Sequence, residues 1–418
     1  MKTVIVLGGG MVGVSTALHL RRRNWDVVLV DRRAPGLETS YGNAGIIQSE
    51  AVEPFAMKRD LRSLFDIATG RTNDVHFHWG SLPQHVGPLL RYWWNSEGGR
   101  HRRIAAGWAA LIAQATASHQ GFIGEVGAEA DALVRRQGYR TFYRNPAAFA
   151  DAVATAERLR AEYGVTFAAM TPAQLASAEP ALRQTGAGAI HWLAPWSVRD
   201  PGALVSAYAK LFSPNGGACR VGSAETLART AQGWRVETAD GPLEAEHVVL
   251  ALGPWSPALL ARYGLTFPMV RKRGYHRHYE GAALDLPLMD TDNGYVMAPM
   301  AKGLRITTGA ELTAPDAPLT PVQLGRAETA ARGLMDFGQG VEDEPWTGVR
   351  PCMPDMLPVI GAAPGQKGLW LNFGHGHQGF TLGPVSGQLL AQMMSGEATC
   401  ADPAPFSPSR WTGARAAA

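Results

Sequence analysis

The chain has 418 residues, of which 46% are hydrophobic and 18% charged, and its 39 basic and 36 acidic side chains give a formal net charge of +3. This composition excludes a disordered chain, which combines high charge with few apolar residues, and the length predicts about two or three domains. The nearly even charge argues against a nucleic-acid-binding surface. The three cysteines lack a CxxC spacing, which excludes a disulfide framework and a thiolate zinc site, so we expect no metal and a reducing, cytoplasmic location.

The first 31 residues predict a dinucleotide-binding unit. Residues 3–7 form an apolar, β-branched run that predicts a buried strand, 11–23 have helical periodicity, and 26–30 predict a second buried strand that ends at Asp31. A strand, a glycine turn, a helix and a second strand that ends in an acid are typical of the opening of a doubly wound sheet.

Gly8, Gly10 and Gly13 form the pattern G-x-G-x-x-G between the first strand and the helix. The first glycine makes the tight turn, the second lets the backbone approach a pyrophosphate, and the third lets helix and strand pack closely. The N-terminus of the helix supplies N–H groups and the positive end of its dipole to the phosphates. Asp31 follows Gly8 by 23 positions, where an acid accepts hydrogen bonds from the ribose hydroxyls and disfavours the 2′-phosphate of NADP.

Three later segments favour FAD over NAD as the dinucleotide. Residues 38–45 (ETSYGNAG) are small and polar enough to wrap a bulky cofactor, and 248–256 (VVLALGPWS) predict a strand that closes a second edge of the site. Residues 368–384 predict a strand, a glycine-rich turn and a helix whose N-terminus can stabilise negative charge on the N1–C2=O edge of reduced flavin. Besides the residues named above, the predicted FAD contacts are Met11, Val12, Arg32, Thr39, Ser40, Asn43, Ala44, Gly45, Gly253, Trp255, Gly376, His377, Gln378, Gly379, Phe380 and Thr381.

The rest of the chain predicts an α/β domain assembled from distant segments, with a second domain inserted. Residues 271–279, 295–299 and 304–309 alternate as half-buried antiparallel strands, and 146–163 form an amphipathic helix. The predicted segments are 1–80, mainly 146–265, and 341–400 for the FAD-binding domain, 81–145 for the helical part of the substrate domain, 266–340 for its antiparallel sheet, and 401–418 for a Pro/Ala-rich, loosely held tail.

Six motifs between residues 4 and 396 resemble, in order, those of the FAD-dependent D-amino acid oxidase/dehydrogenase superfamily: GGGMVGVSTALHL, ETSYGNAG, TPAQLASAEPAL, VVLALGPWS, WTGVRPCMPDMLPVIG and LWLNFGHGHQGFTLGPVSGQLL. The likeness is greatest to bacterial D-amino acid dehydrogenases and extends to glycine oxidase. The resemblance implies a Rossmann-like FAD-binding domain and an α+β substrate domain with an antiparallel sheet over the flavin. It also implies non-covalent FAD, hydride transfer from Cα of a D-amino acid to flavin N5, and hydrolysis of the imino acid to a 2-oxo acid and ammonia.

The same resemblance implies the substrate-binding residues. Arg350 in WTGVRP and Tyr295 in DNGYVMAP fall on family residues that contact the substrate carboxylate, and Tyr275 in RKRGYHRHY is a further candidate. A buried carboxylate favours arginine, because the planar guanidinium donates two parallel hydrogen bonds. His375 and His377 lie in the glycine-rich turn before the last helix, where either can tune the substrate amine or the reduced flavin.

Two positions depart from the family pattern, which leaves the substrate open. Ile46 stands where the D-amino acid dehydrogenases carry glutamine, and His377 stands where glycine oxidase carries arginine. Three alternatives therefore stay open: an oxidase or dehydrogenase of secondary amino acids (sarcosine, D-proline or hydroxyproline type), a non-catalytic flavin-binding subunit, and an NAD-dependent dehydrogenase. Cys352 is interpreted as a structural cysteine rather than a covalent attachment point for the flavin.

The sequence leaves open whether the electron acceptor is a quinone, an electron-transfer protein or oxygen. Residues 91–94 (RYWW) combine arginine with aromatic side chains, as at a membrane interface, and are alternatively part of a helix packed in the core. No apolar run reaches the roughly 18–20 residues of a membrane span, so we expect a cytoplasmic protein with at most a peripheral contact at the inner membrane.

Overall fold

A computed structural model describes residues 1–70, 72–213, 216–281, 284–314 and 316–411 of the chain. Its strands are β1 (Thr3–Leu7), β2 (Asp26–Asp31), β3 (Ile46–Ile47), β4 (Val75–Phe77), β5 (Val134–Arg135), β6 (Tyr139–Tyr143), β7 (Phe167–Met170), β8 (Gly188–Trp192), β9 (Trp196–Val198), β10 (Ala218–Arg229), β11 (Trp234–Thr238), β12 (Gly241–Ala245), β13 (His247–Leu250), β14 (Val270–Tyr279), β15 (Leu288–Asp290), β16 (Tyr295–Met300), β17 (Gly303–Thr307), β18 (Ala310–Leu312), β19 (Trp346–Cys352), β20 (Val359–Ala362) and β21 (Leu369–Phe373).

Helices connect many of these strands. They are α1 (Met11–Arg21), α2 (Leu61–Ala68), α3 (Leu82–Asn95), α4 (Gly98–Ile112), α5 (Ala115–Val126), α6 (Ala128–Asp131), α7 (Pro146–Tyr163), α8 (Pro172–Ala178), α9 (Pro201–Lys210), α10 (Ser256–Ala261), α11 (Val322–Arg332) and α12 (Gly379–Ser395). Every described helix is too short or too polar to cross a lipid bilayer.

The first sheet contains the predicted dinucleotide-binding unit. Its strands lie in the order β12-β11-β10-β2-β1-β13-β21-β20, and the pairs β10–β2, β2–β1, β1–β13 and β13–β21 are parallel. Its central strands are apolar and β-branched because a parallel sheet is buried on both faces. The carboxyl ends of its parallel strands therefore form the edge at which a nucleotide is expected to bind.

Helix α12 packs directly on α1 through two glycines. A Cβ atom at Gly387 would come within 2.7 Å of the Thr16 nitrogen, and one at Gly383 within 2.5 Å of the Met11 side chain. Because larger side chains would separate the helices, this contact depends on the two glycines. It brings the N-termini of both helices to the same edge of the first sheet.

The second sheet has the order β4-β18-β14-β17-β16-β15-β6-β8-β7, and β19 pairs with β14 beside this path. The predicted antiparallel strands are present in it as β14, β16 and β17. Four of its other strands, β4, β7, β8 and β19, come from segments that the sequence analysis assigned to the FAD-binding domain. The described chain thus passes between the two sheets more often than the predicted segments do. Strands β3, β9 and β5 form a third, small sheet.

Residues 401–411 pack firmly on the protein, in contrast to the loosely held tail that the sequence predicts. Phe406 is fully buried and lies near Gly107 of α4. The Arg410 guanidinium donates to Asp355 Oδ2 at 2.6 Å and to nearby backbone carbonyls. An apolar anchor and a paired charge therefore hold this segment, and the rest of the predicted tail lies outside the described residues.

We predict that Phe406→Ala lowers the free energy of unfolding by about 3–5 kcal/mol, because it leaves a cavity where a buried ring was. Denaturant unfolding measures this change. Phe55→Ala makes the same chemical change at a phenylalanine that is 65% exposed, and it should shift stability by no more than about 0.5 kcal/mol. Equally small changes in the free energy of unfolding for both variants would contradict the packing of residues 401–411 on the protein.

Candidate active site

Residues from both large sheets line a cavity of 1110 Å³. The first sheet contributes the carboxyl ends of β2 and β21 and the turns that follow β1, β2 and β13. The second sheet contributes β14 and β19, and the turn before α12 closes one end. A cavity of this size, at the edge where parallel strands end, suits a large nucleotide ligand.

The first glycine turn has the predicted geometry. Gly8 has a φ of +117°, which favours glycine, and its N–H donates to the Val30 carbonyl at 2.9 Å. A Cβ atom at Gly13 would overlap the Gly8 carbonyl oxygen, so α1 lies as close to β1 as the third glycine predicts. Gly10 immediately precedes α1 and offers no side-chain cap to the N–H groups of the helix's first turn.

Asp31 and Ser40 hold this turn from the side. The Gly9 N–H donates to Asp31 Oδ2 at 2.5 Å, and the Met11 N–H donates to Ser40 Oγ at 3.0 Å. Both side chains line the cavity. The Asp31 carboxylate accepts further hydrogen bonds through its remaining lone pairs, as a contact to ribose hydroxyls requires.

The second glycine-rich turn brings the N-terminus of α12 to the same cavity. Gly376 in this turn has a φ of +60°, and Gln378 precedes the helix without capping it. The Gln378 side-chain amide donates to Gln48 Oε1 at 2.7 Å, and the Gln48 N–H donates to Thr381 Oγ1 at 3.2 Å. These contacts fix the turn against the segment that follows β3.

Most of the predicted FAD contacts line the cavity. They are Gly8, Gly10, Met11, Val12, Asp31, Arg32, Thr39, Ser40, Asn43, Ala44, Gly253, Trp255, Gly376, His377, Gln378, Gly379 and Phe380. Three others, Gly13, Gly45 and Thr381, are not among the residues that line it. Each contacts a lining residue: the Gly45 N–H donates to Asn43 Oδ1 at 2.8 Å, Thr381 Oγ1 accepts from the Gln48 N–H at 3.2 Å, and Gly13 packs on Gly8.

The residues present fit FAD. Two uncapped helix N-termini open into one cavity, where they favour the negative charge of a pyrophosphate. Three buried atoms at or near its wall, Thr39 Oγ1, Gln378 Oε1 and His375 Nε2, lack a hydrogen-bond partner among the described residues. Buried polar atoms normally have a hydrogen-bond partner. Bound FAD would offer polar groups as partners for these three atoms.

Arg350 presents a positive charge on the wall formed by the second sheet. Its Nη1 and Nη2 donate to the carbonyl oxygens of Gly309 at 2.7 Å and Thr308 at 2.9 Å. A Cβ atom at Gly274 on the neighbouring strand would come within 2.6 Å of Nη1, so the guanidinium occupies space that only glycine leaves. Burial lowers the pKa of Arg350 from its ordinary value, and the Cys352 thiol opposes this shift only in part.

The register of the strands directs the side chains of Tyr275 and Tyr295 to the opposite face of the second sheet from Arg350, although both residues line the cavity, and their predicted contact with the substrate carboxylate stays a prediction. Successive residues of a strand point to opposite faces, and Gly274 lies on the Arg350 face. The Tyr275 hydroxyl donates to Glu311 Oε2 at 2.6 Å, and both tyrosines belong to one buried apolar cluster. The structure therefore does not bring the two hydroxyls to the guanidinium.

His375 and His377, in the glycine-rich turn before α12, both line the cavity. Burial lowers the pKa of His375 to about 3. Desolvation by the surrounding protein, followed by the charges of Arg350 and Lys272, lowers the pKa of His377 to about 4. Both imidazoles are therefore neutral at pH 7.

A polar network at the cavity wall was missed by the sequence analysis. Gln48 and Tyr139 line the cavity, and the Tyr139 hydroxyl donates to Glu50 Oε1 at 2.7 Å while the Gln48 side-chain amide donates to the same oxygen at 2.9 Å. Burial raises the pKa of Glu50. Since Tyr139 is 89 residues from Glu50 in the chain, no local signal could have joined them.

Comparison with known proteins agrees with this geometry. The family model for FAD dependent oxidoreductases (DAO) matches residues 3–393. The chain is 31% identical to the D-amino acid dehydrogenase of Paramagnetospirillum magneticum over 94% of this chain and 95% of that protein. It is also 31% identical to D-amino acid dehydrogenase 2 of Pseudomonas aeruginosa, over 94% of each. Glycine oxidase from Geobacillus kaustophilus has the same fold, with a TM-score of 0.73 at 22% identity over 98% of this chain and 99% of that chain.

The chain belongs to the DAO family of FAD-dependent oxidoreductases. Membership confirms the predicted family, the fold class with a Rossmann-like FAD domain, the cofactor FAD and the assignment as an oxidoreductase. It also rules out the NAD-dependent dehydrogenase that the sequence analysis left open.

We predict that Asp31→Ala in this DAO-family protein weakens FAD binding at least about tenfold, because the ribose loses its acceptor and the turn loses the Gly9 contact. Titration of apoprotein with FAD, followed by flavin fluorescence, measures the dissociation constant. Asp26→Ala is the matched control, since Asp26 is exposed at the other end of the same strand. Equal affinities in both variants would exclude a role for Asp31 in the cofactor site.

We also predict that His377→Gln leaves the acidic limb of the pH profile of kcat/KM in place between pH 5 and 9. The pKa of His377 lies below its ordinary value, so the ring gains a proton only below about pH 4. The limb then reports another group, such as the substrate amine. A displacement of the limb by about half a pH unit or more would show that His377 titrates in the working range.

Proposed function

We propose that the protein oxidises a D-amino acid with non-covalently bound FAD and yields the 2-oxo acid and ammonia. Two kinds of support bear on this. The relatives that share about a third of its sequence over most of its length are named D-amino acid dehydrogenases, and a relative from Bradyrhizobium diazoefficiens, 29% identical, is named a D-amino-acid oxidase. The observation that carries the proposal is the cation of Arg350 in the FAD cavity.

Arg350 is suited to hold a carboxylate. A guanidinium has five N–H donors, and the two carbonyls of Thr308 and Gly309 leave some of them free. The carbonyls fix the plane of the group, and none of the described carboxylates neutralises it. A substrate carboxylate supplies both the missing charge and a planar partner for two hydrogen bonds.

The chain's own residues then orient the substrate and set its protonation. Bound FAD supplies the two-electron acceptor for the oxidation. Arg350 fixes the carboxylate and so limits the directions in which the Cα–H bond can point. Lys272, paired with Arg350 across β14 and β19, adds a second positive charge to the cavity lining. Two cations nearby disfavour an ammonium and so lower the pKa of the substrate amine, which prepares the neutral amine that oxidation requires.

The proposal includes a cytoplasmic location and a class of electron acceptor. We propose a quinone or an electron-transfer protein as the acceptor, in keeping with the dehydrogenase names of the relatives, with oxygen as the alternative. The three cysteines are unpaired in the structure, as in proteins of a reducing cytoplasm. Turnover measured under air, and under nitrogen with a soluble quinone, separates the two classes of acceptor.

The proposed function predicts which compounds bleach the flavin. Under nitrogen, D-amino acids should reduce the bound FAD and so decrease its visible absorbance, whereas their L-enantiomers should leave the absorbance unchanged. Reduction only by sarcosine or cyclic imino acids would replace the proposal with oxidation of secondary amines. A bound flavin that no amine reduces would identify a non-catalytic subunit.

We predict that Arg350→Leu raises KM for the amino acid at least about 30-fold with FAD still bound, because loss of a buried charge partner costs about 2 kcal/mol or more. Steady-state kinetics measure KM, and the flavin absorbance per protein confirms cofactor content. Arg235→Leu provides the control, since Arg235 is exposed on β11. An unchanged KM in Arg350→Leu would contradict the assignment of Arg350 as the residue that binds the substrate carboxylate.

A further inference from the structure

Lys272 places a second cation beside Arg350. The two residues lie directly opposite each other where β14 pairs with β19, and cross-strand partners extend their side chains from the same face of a sheet. Both side chains line the FAD cavity. Like charges directly opposite each other destabilise a sheet, so the protein keeps an arrangement that its own stability does not favour.

The Lys272 ammonium contacts an aromatic ring and pairs with none of the described carboxylates. Its Nζ lies 4.8 Å from the ring centre of Tyr92, a cation–π contact. Tyr92 is buried, and its hydroxyl donates to the Phe55 carbonyl, which fixes the ring. Glu53, an acid that lines the cavity, is already held by Arg158 through two contacts of 2.8 Å. The charge and the N–H donors of the ammonium are therefore available to an anion.

His377 shows that the two cations face the same space. Desolvation lowers the pKa of its imidazole to about 4, and the charges of Arg350 and Lys272 add to this shift. Since both charges act on one ring, the three side chains surround one part of the cavity. The imidazole is neutral at pH 7, so it does not add a third charge there.

A side cavity of 60 Å³ adjoins the FAD cavity at this point. Lys272 and His377 line both cavities, together with the aromatic rings of Phe55 and Trp108. A wall of this kind accepts the methylene groups of a substrate side chain. It also strengthens the pairing of charges, because the local dielectric constant is lower than that of water.

We propose that Lys272 binds a second carboxylate of the substrate, so that the enzyme prefers the acidic D-amino acids D-aspartate and D-glutamate. Arg350 holds the α-carboxylate, and Lys272 on the neighbouring strand holds the carboxylate that ends the side chain. Such a substrate neutralises both adjacent cations, whereas a substrate with an uncharged side chain neutralises only one. The inference rests on the proposed oxidation of D-amino acids and names the class of substrate.

The first test compares substrates that share a shape and differ in side-chain charge. The FAD-loaded protein should oxidise D-glutamate with a kcat/KM at least about tenfold above that of D-glutamine, because a partly buried charge pair contributes a factor of this size or more. D-Aspartate should exceed D-asparagine likewise. Lys272→Met should bring both ratios close to one. Any effect of Lys272 on the pKa of the substrate amine acts on both members of a pair and so cancels in the ratio.

The matched control is Lys367→Met, which makes the same chemical change at an exposed lysine outside the cavity. Its ratios should equal those of the unaltered protein, and the flavin absorbance per protein confirms that each variant retains FAD. Equal kcat/KM values for D-glutamate and D-glutamine in the unaltered protein would overturn the proposal. A preference for D-glutamate that survives Lys272→Met would overturn it as well.

The second test measures binding without turnover. Glutarate and glutaramate differ only in whether a carboxylate or an amide ends the chain, and the change in flavin absorbance reports their dissociation constants. Glutarate should bind the FAD-loaded protein at least about tenfold more tightly, and Lys272→Met should remove most of this difference. Equal dissociation constants in the unaltered protein would contradict a site for a second carboxylate.

The two tests separate failure of this inference from failure of the proposed function. If D-glutamine and D-asparagine reduce the flavin as readily as the acidic pair, oxidation of D-amino acids stands and the role of Lys272 is wrong. If no D-amino acid reduces the flavin, the proposed function is wrong. The preference for glutarate over glutaramate then decides whether Lys272 binds a carboxylate.

Discussion

The charge of Arg350 constrains the active site more than any other feature. A guanidinium withdrawn from bulk water needs hydrogen bonds and a compensating anion. Two backbone carbonyls supply the hydrogen bonds, and Gly274 supplies the space. The pairing of β19 with β14 keeps these groups together. None of the described carboxylates pairs with the Arg350 guanidinium, so its charge is available to an anionic ligand.

The contact between α1 and α12 provides the second half of the site. Gly383 and Gly387 let the two helices approach closely, and both uncapped N-termini then open into the FAD cavity. One helix begins at residue 11 and the other at residue 379, so the cofactor site depends on a contact between the two ends of the chain. The positive helix ends favour the cofactor's negative charge, and we propose that Arg350 pairs with the substrate's carboxylate.

The sequence predicts those parts of the protein that are encoded locally. The glycine turn after β1 and helix α7 have their predicted places, because a turn pattern and a helical period each lie within one short segment. The faces of β14 and β16 were not predictable in this way. A tyrosine in a strand faces one side or the other according to register, and here register places Tyr275 and Tyr295 away from Arg350. The Gln48 network joins residues far apart in the chain, so only the fold brings it together.

The most direct test of the account compares two probes of the same shape that differ in charge. Propionate and propionamide are titrated into the FAD-loaded protein, and binding is followed by the change in flavin absorbance. If Arg350 is the carboxylate anchor, propionate binds well and propionamide poorly, and Arg350→Leu removes this preference. Equal binding of the two probes to the unaltered protein, or a preference that survives Arg350→Leu, would contradict the account.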